Sequence, residues 1–196
     1  DLNTPGVTIR PIPNIEGREE FCQEFFDNVR LPKSNLIGEV NQGWTVAKTL
    51  LMFERLSSGS PRRPQYPLNK LPVVARARGI WEDAEFQSKF TRLRLDVADL
   101  AAVYKRYADT LAQGKSPDPG ISMLKIWASE TTQRLAELLV EIAGDAGYIP
   151  DDELVFGDDR IDVLGPFFIA LHATISGGSN EIQRNILAKR LLGLPG

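Results

Sequence analysis

The amino-acid sequence predicts a mainly α fold, an antiparallel four-helix-type bundle preceded by a short β segment. Three observations carry that reading. From Gly43 onward the apolar residues recur at alternating spacings of three and four, the helical period. Before it, residues 1–40 alternate as strands do and are broken by Pro5, Pro11, Pro13 and Pro32. The periodic stretches are joined by short loops, so several amphipathic helices must bury their stripes against one another.

Taken in chain order, Val7 and Ile9, then Phe21 and Phe25, mark an extended, turn-rich opening of three or four short strands. That is too few to close a sheet with a buried face, so the segment is expected to pair with strands outside this chain, which reads as a fragment. Residues 43–57 (GWTVAKTLLMFERLS) form the first helix, stopped by the Ser/Gly/Pro cluster at 57–67. A shorter helical piece follows at 69–80. The strongest pattern is 83–112, where Phe86, Phe90, Leu93, Val97, Leu100, Tyr104, Tyr107 and Leu111 make one stripe. A helix over 120–144 puts Ile121, Leu124, Trp127, Thr131, Leu135, Leu138 and Ile142 on one face and ends where Gly144 can supply a C-terminal cap. Another short piece covers 165–175. The last helix, 180–193, opens at Asn180 with Gln183 three residues on, a capping-box pattern.

Composition excludes several functions. The chain has 196 residues, 23 Lys+Arg against 26 Asp+Glu, and a formal net charge of −3 with His172 neutral. A large basic surface for nucleic acid is therefore not expected. No apolar run reaches the ~18 residues of a membrane span, and the N-terminal DLNTPGVTIRPIP lacks the basic and apolar regions of a secretory signal. Cys22 alone permits no internal disulfide, and with one histidine it cannot build a zinc site, so no metal is expected. His172, inside the apolar run FFIALHAT, reads as a packed helix residue.

Two places carry candidate chemistry. Ser176-Gly177-Gly178-Ser179-Asn180 runs directly into the final helix, so free backbone amides lie beside two glycines that let another molecule approach. This is either an ordinary capped glycine loop or a cradle for an anion or cofactor. Glu54 shares a helix face with Ala47, Leu50 and Ser57. There it is either a solvated carboxylate, or one paired with Arg55, or a partly desolvated one with the raised pKa that a general base requires. The pairs Arg62-Arg63, Arg76 with Arg78, and Arg92 with Arg94 read as solvated helix charges able to meet phosphate, and Trp44, Trp81 and Trp127 as packing anchors.

The stretch FCQEFFDNVRLPKSNLIGEVNQGWTVAKTLLMFER (21–55) resembles the acyl-CoA dehydrogenase flavoproteins where their middle β domain passes into the C-terminal helical bundle. ISGGSNEIQRNILAKRLLGLPG (175–196) resembles the family's closing signature, and IAGDAGY (142–148) its glycine-rich turn. Residues 58–120 are less family-like. The resemblance implies that 1–40 is the end of an incomplete middle β domain and 41–196 the C-terminal helical bundle domain.

What the resemblance implies about function is α,β-dehydrogenation of an acyl-CoA thioester. A glutamate removes the α-proton, a hydride passes from the β-carbon to FAD, and electrons leave to an electron-transfer flavoprotein. The commonest locus of the base corresponds to Gly177, which cannot take a proton. Some relatives place it just before the arginine at the end of the first bundle helix, here Glu54 before Arg55. The expected pattern is thus a relocated base, with Gly177 leaving room for a bulky acyl group. By resemblance Arg55, Gly177 and Gly178 border the substrate, and Gly178, Ser179, Asn180 and Glu181 touch FAD. A homotetramer or heterotetramer is implied, in the bacterial cytoplasm or mitochondrial matrix and not secreted. Three positions depart from the family: Glu141 stands where many members carry glutamine near the flavin, Arg76-Ala-Arg78-Gly79 replaces an Arg-x-x-Phe-Gly contact, and Asn180-Glu181 varies the signature. These departures keep two alternatives open, a non-catalytic partner subunit of a heteromeric dehydrogenase and a flavoprotein of the same fold with another reaction.

Overall fold

A computed structural model describes residues 1–148 and 154–195, the side chains of Met52, Phe53, Arg55 and Ala146 excepted. The chain divides into two compact units between Leu50 and Leu51, inside the first helix.

In the first unit, strands β1 (Val7–Ile12) and β2 (Phe21–Phe26) pair antiparallel, with Ile9 opposite Glu24 and Ile12 opposite Phe21. Two strands form where three or four were expected. Beyond β2 the backbone turns at Asn28, with a positive φ of 51°, and Pro32 leads into one 3₁₀ turn, Lys33–Asn35. Proline offers no amide to a strand ladder, so this stretch cannot extend the ribbon. No residue of 1–50 is buried, and Phe21, Phe25 and Phe26 are all exposed. A two-stranded ribbon has no second layer to cover its apolar side chains. Helix α1 (Gly43–Ser58) starts in this unit, where Trp44 is 70% exposed and so not the packing anchor expected of it.

The second unit is built around one helix, α4 (Ser122–Ala143), whose Leu124, Ala128, Leu135, Ala136, Leu139 and Ala143 are fully buried. Small and large apolar residues occur on more than one of its sides, which is the pattern of a helix enclosed by others rather than lying on a surface. Helix α3 (Ala84–Ala112) runs antiparallel along it. Ion pairs fix the register, Lys89 to Glu141 at 2.8 Å and Arg134 to Asp96 at 3.0 Å, so that rising numbers in one helix meet falling numbers in the other. The α3 stripe is buried from Phe86 to Leu100, whereas Tyr104, Tyr107 and Leu111 emerge half-covered. Asp83 starts this helix, its carboxylate accepting from the Phe86 amide at 2.8 Å.

Helix α2 spans Arg62–Ala77 and so begins seven residues earlier than its sequence pattern suggests, within the expected breaker cluster. Pro64 lies in the first turn, where an amide has no helical acceptor to lose. Pro67 and Pro72 do remove ladder bonds. Burial of Pro67, Leu68, Leu71, Val74 and Ala75 offsets that loss, each large side chain contributing roughly 1.5–3 kcal/mol. Trp81 lies beside Phe86 and Phe90 with ring centroids 6.0 and 5.7 Å away, and the Arg76 guanidinium stacks over Trp81 at 4.3 Å.

Gly144 terminates α4 at φ +63°, and the Arg78 guanidinium donates to the Ala143 carbonyl there. A hairpin of β3 (Leu154–Phe156) and β4 (Asp159–Ile161) was not expected, since three-residue strands are too short to show a period. It places Phe156 and Ile161 in the core. Helix α5 (Leu164–Ala173) follows, with Gly165 N–H donating to the Asp162 carboxylate at 2.7 Å. His172 on α5 is exposed rather than packed, on a wall shared with Arg62, Arg63 and Tyr66. The final helix is shorter than expected: α6 covers Asn180–Ile186 and loosens into one π turn, Leu187–Leu191. Its N-cap is Ser179, which accepts from the Ile182 amide, and not Asn180. Among the described residues no helix is long and apolar enough to cross a membrane.

Candidate active site

Glu54 and Ser58 are four residues apart on α1, one helical turn, and so project from the same face. Both reach the turn that joins α5 to α6. Gly177, at φ +67°, is the point of closest approach: a Cβ built on it would lie 3.1 Å from Ser58 Oγ and 3.5 Å from Glu54 Oε1. The left-handed backbone favours glycine at this position, and the neighbouring hydroxyl leaves little space for a side chain. The structure therefore brings together Glu54 and Gly177, two residues 123 positions apart in sequence.

Glu54 is exposed in this chain, which corrects the expectation that its helix face would desolvate it. Leu50, one turn away on that face, is 69% exposed itself. Apolar neighbours on a helix exclude water only when another element covers them. The side chain of Arg55 lies outside the described residues.

Beside Gly177, Gly178 is at φ +83° with its backbone exposed. The Gln183 side-chain amide donates to the Gly177 and Gly178 carbonyls at 3.2 and 3.4 Å. These bonds tie the carbonyl side of the turn to α6. Among the described residues the amides of Gly177, Gly178 and Ser179 donate to no other group, so they remain available to a ligand. Glu181, in the first turn of α6, is exposed, and its carboxyl is held below the usual range by bonds from its own amide and the Ser179 hydroxyl.

Asn180 behaves differently from its neighbours. It is only 3% exposed, and its side chain points into the protein. Lys125 Nζ donates to Asn180 Oδ1 at 2.7 Å and to the Thr174 carbonyl at 2.9 Å. Asn180 Nδ2 donates in turn to Ser129 Oγ at 3.1 Å and Glu130 Oε1 at 3.2 Å, and Arg184 donates to the same Glu130 oxygen. Any contact of Asn180 with a cofactor would use its backbone. Lys125 is 2% exposed, and burial pushes its ammonium below the ordinary lysine range.

Sequence reasoning passed over Lys125 and Gly59. Lys125 lies in ISMLKIWASE, where its only signal is a cation flanked by the apolar stripe. Gly59 looked like part of a breaker cluster. It is in fact buried, and a Cβ there would come within 3.0 Å of the Leu124 carbonyl carbon and 3.2 Å of the Lys125 amide, and closer still to the Leu124 Cβ. The end of α1 thus rests directly on the backbone of α4. The three departures noted in the sequence have internal uses for two of them: Glu141 pairs with Lys89, while Arg76 and Arg78 serve Trp81 and the α4 terminus. No cluster of three metal-ligating side chains occurs among the described residues.

A helical bundle domain whose first helix presents a carboxylate to a glycine turn opening its last helix is the class that fold and site define. The family description that matches residues 41–192 is Acyl-CoA dehydrogenase, C-terminal domain. The chain belongs to the acyl-CoA dehydrogenase family, a group of oxidoreductases. Among its relatives, the acyl-CoA dehydrogenase IpdE1 of Mycobacterium tuberculosis is 34% identical over 99% of this chain and 49% of its own length. The acyl-CoA dehydrogenase FadE34 of the same organism is 32% identical over 100% of this chain and 26% of its own length. The ChsE4-ChsE5 complex from Mycobacterium tuberculosis superposes with a TM-score of 0.81 at 25% identity, covering 100% of this chain and 52% of that one. The chain therefore spans about half the length of IpdE1 and of the matched chain of the complex, and about a quarter of FadE34.

Proposed function

We propose that this chain is the C-terminal helical domain of an FAD-dependent acyl-CoA dehydrogenase in which Glu54 is the base that takes the α-proton of an acyl-CoA thioester. The observation that carries the reading is the 3.5 Å between Glu54 Oε1 and the point where a side chain at position 177 would begin. A carboxylate entering from α1 meets the space that a glutamate at 177 would enter, so one chemical group serves from either locus.

Glu54 accepts the proton and becomes the neutral acid, and the departing electron pair forms the Cα–Cβ double bond as hydride leaves the β-carbon. When bound, FAD supplies the acceptor for that hydride. The residues present fit such a group through backbone rather than side chains: three free amides at Gly177, Gly178 and Ser179, and an exposed glycine at 178. Exposure of Glu54 on this chain leaves its carboxylate reachable by substrate. Arg55 borders the substrate in this proposal, and an electron-transfer flavoprotein receives the electrons from an assembled homotetramer or heterotetramer.

A second reading is a non-catalytic partner subunit. It is favoured by the engagement of Arg76 with the Trp81 ring and of Arg78 with the Ala143 carbonyl, which occupies two cations with partners of this chain, and by the occurrence of the similar ChsE4-ChsE5 as a complex. One substitution separates the two. Glu54→Gln is expected to keep bound FAD and its yellow colour while losing bleaching by acyl-CoA in anaerobic stopped flow. Wild-type protein that never reduces flavin, or a Gln variant that reduces it at the wild-type rate, would overturn the base assignment.

A further inference from the structure

Lys125 is a buried cation that the proposed proton transfer does not use, and its partners all belong to the segment that carries Gly177. We infer that Lys125 is a positioning residue for the site, holding the Thr174–Asn180 turn on α4 at the height where Gly177 meets Glu54. The inference rests on the base reading for its consequence in catalysis, though not for its structural content.

Lys125 Nζ bonds both ends of the turn, the Thr174 carbonyl at 2.9 Å and the Asn180 side chain at 2.7 Å, while the Asn180 amide nitrogen also donates to the Thr174 carbonyl at 2.9 Å. Five residues, 175–179, thus form a loop whose two feet meet at one ammonium group. Burying a lysine is costly unless its charge is bonded, and bonds from a charged donor are among the stronger ones. The turn supplies two of those acceptors.

Gly59 brings the end of α1 against the backbone of Leu124 and Lys125. Consecutive residues of one helix therefore carry the two parts of the site, Leu124 beneath the element that bears Glu54 and Lys125 beneath the turn that bears Gly177. Because α4 is rigidly enclosed, the separation of base and turn is set there and not by the flexible glycines themselves. Loss of the ammonium would release both feet of the loop together. A displacement of about 1 Å between reacting groups is enough to slow catalysis on the order of 100-fold.

Lys125→Met, Lys125→Arg and Asn180→Ala, made in the FAD-loaded enzyme, test this by hydrogen exchange and by anaerobic flavin reduction with an acyl-CoA. Lys125→Met is expected to raise amide exchange at least about tenfold at Ser176 and Asn180, whose amides donate to the His172 and Thr174 carbonyls, with exchange in 135–142 of α4 unchanged. The limiting reduction rate falls about 100-fold with little change in the KM for acyl-CoA, and Lys125→Arg recovers part of both effects. Asn180→Ala gives the same selective exchange and carries the test if Lys125→Met does not fold. Wild-type exchange at Ser176 and Asn180 in the folded variants, or a rise spread evenly through α4, would overturn the inference. Failure of the base reading is distinct from this: Glu54→Gln would then reduce flavin normally while the exchange differences at Ser176 and Asn180 persisted.

Discussion

Adding one methyl group at Gly59 tests whether the end of α1 is held by close backbone contact. A Cβ in that position meets the Leu124 Cβ, the Leu124 carbonyl carbon at 3.0 Å and the Lys125 amide nitrogen at 3.2 Å. None of these atoms can be moved by turning a side chain about its χ angles, so either α1 or α4 must shift. Helix α4 is enclosed on several sides by α2, α3, α5 and α6, which leaves α1 as the element that yields. Overpacking of this kind costs about 1–3 kcal/mol. At roughly 2–4 °C per kcal/mol for a protein of this size, Gly59→Ala is expected to lower Tm by about 2–12 °C. The shift would also carry Glu54 away from Gly177, so flavin reduction should slow alongside. Thermal unfolding followed by circular dichroism, with stopped-flow reduction on the same sample, makes the comparison. A Tm within about 1 °C of wild type would refute the claim that α1 rests on α4 at this glycine.

Two further substitutions address the core and the opening of α6. Phe90→Ala removes a ring that stacks on Phe86 at 5.8 Å and meets Trp81 edge-on, at a site 7% exposed, and should cost about 3–5 kcal/mol in urea unfolding; a loss under about 1 kcal/mol would contradict the packing described. Glu181→Gln removes a carboxylate whose folded pKa lies below its unfolded value because its own amide and the Ser179 hydroxyl donate to it. The unfolded chain then binds more protons than the folded one as pH drops, so the stability this carboxylate contributes is complete above about pH 4.5 and disappears as pH falls through the folded value. Wild type should accordingly exceed Glu181→Gln in Tm at neutral pH and converge with it in acid; a gap that is constant with pH would contradict the assignment.

Most of the helical architecture was legible in the sequence. The α3 stripe names the buried residues from Phe86 to Leu100, and every member of the 120–144 stripe but the half-buried Trp127 is buried, because a helix that must cover one face repeats its apolar residues at the helical period; Ala128, Ala136 and Leu139, buried on other sides of the enclosed α4, lie outside that stripe. The cap at Gly144 was equally legible, since only a left-handed residue closes a helix in that way. Less visible was the start of α2: three prolines read as a break, and only the burial of Pro64, Pro67 and Leu68 reveals why the helix tolerates them. The β3–β4 hairpin carries no period at all. His172 and Trp44 were misjudged for a common reason, that an apolar neighbourhood in sequence does not say which side of a helix another element will cover.

The candidate site divides in the same way. By itself the sequence determined the residue types, a glutamate near the end of α1 and paired glycines before α6, and it located them in a family pattern. Only the tertiary structure decided that Glu54 and Gly177 meet, that Asn180 turns inward and that Lys125 holds the turn, for those facts depend on which helices share a contact. Helical periodicity is a local property, transmitted over a few residues by hydrogen bonds along one axis. The 3.5 Å approach at Gly177 is set by how two segments pack on α4, and no repeat within either segment records it.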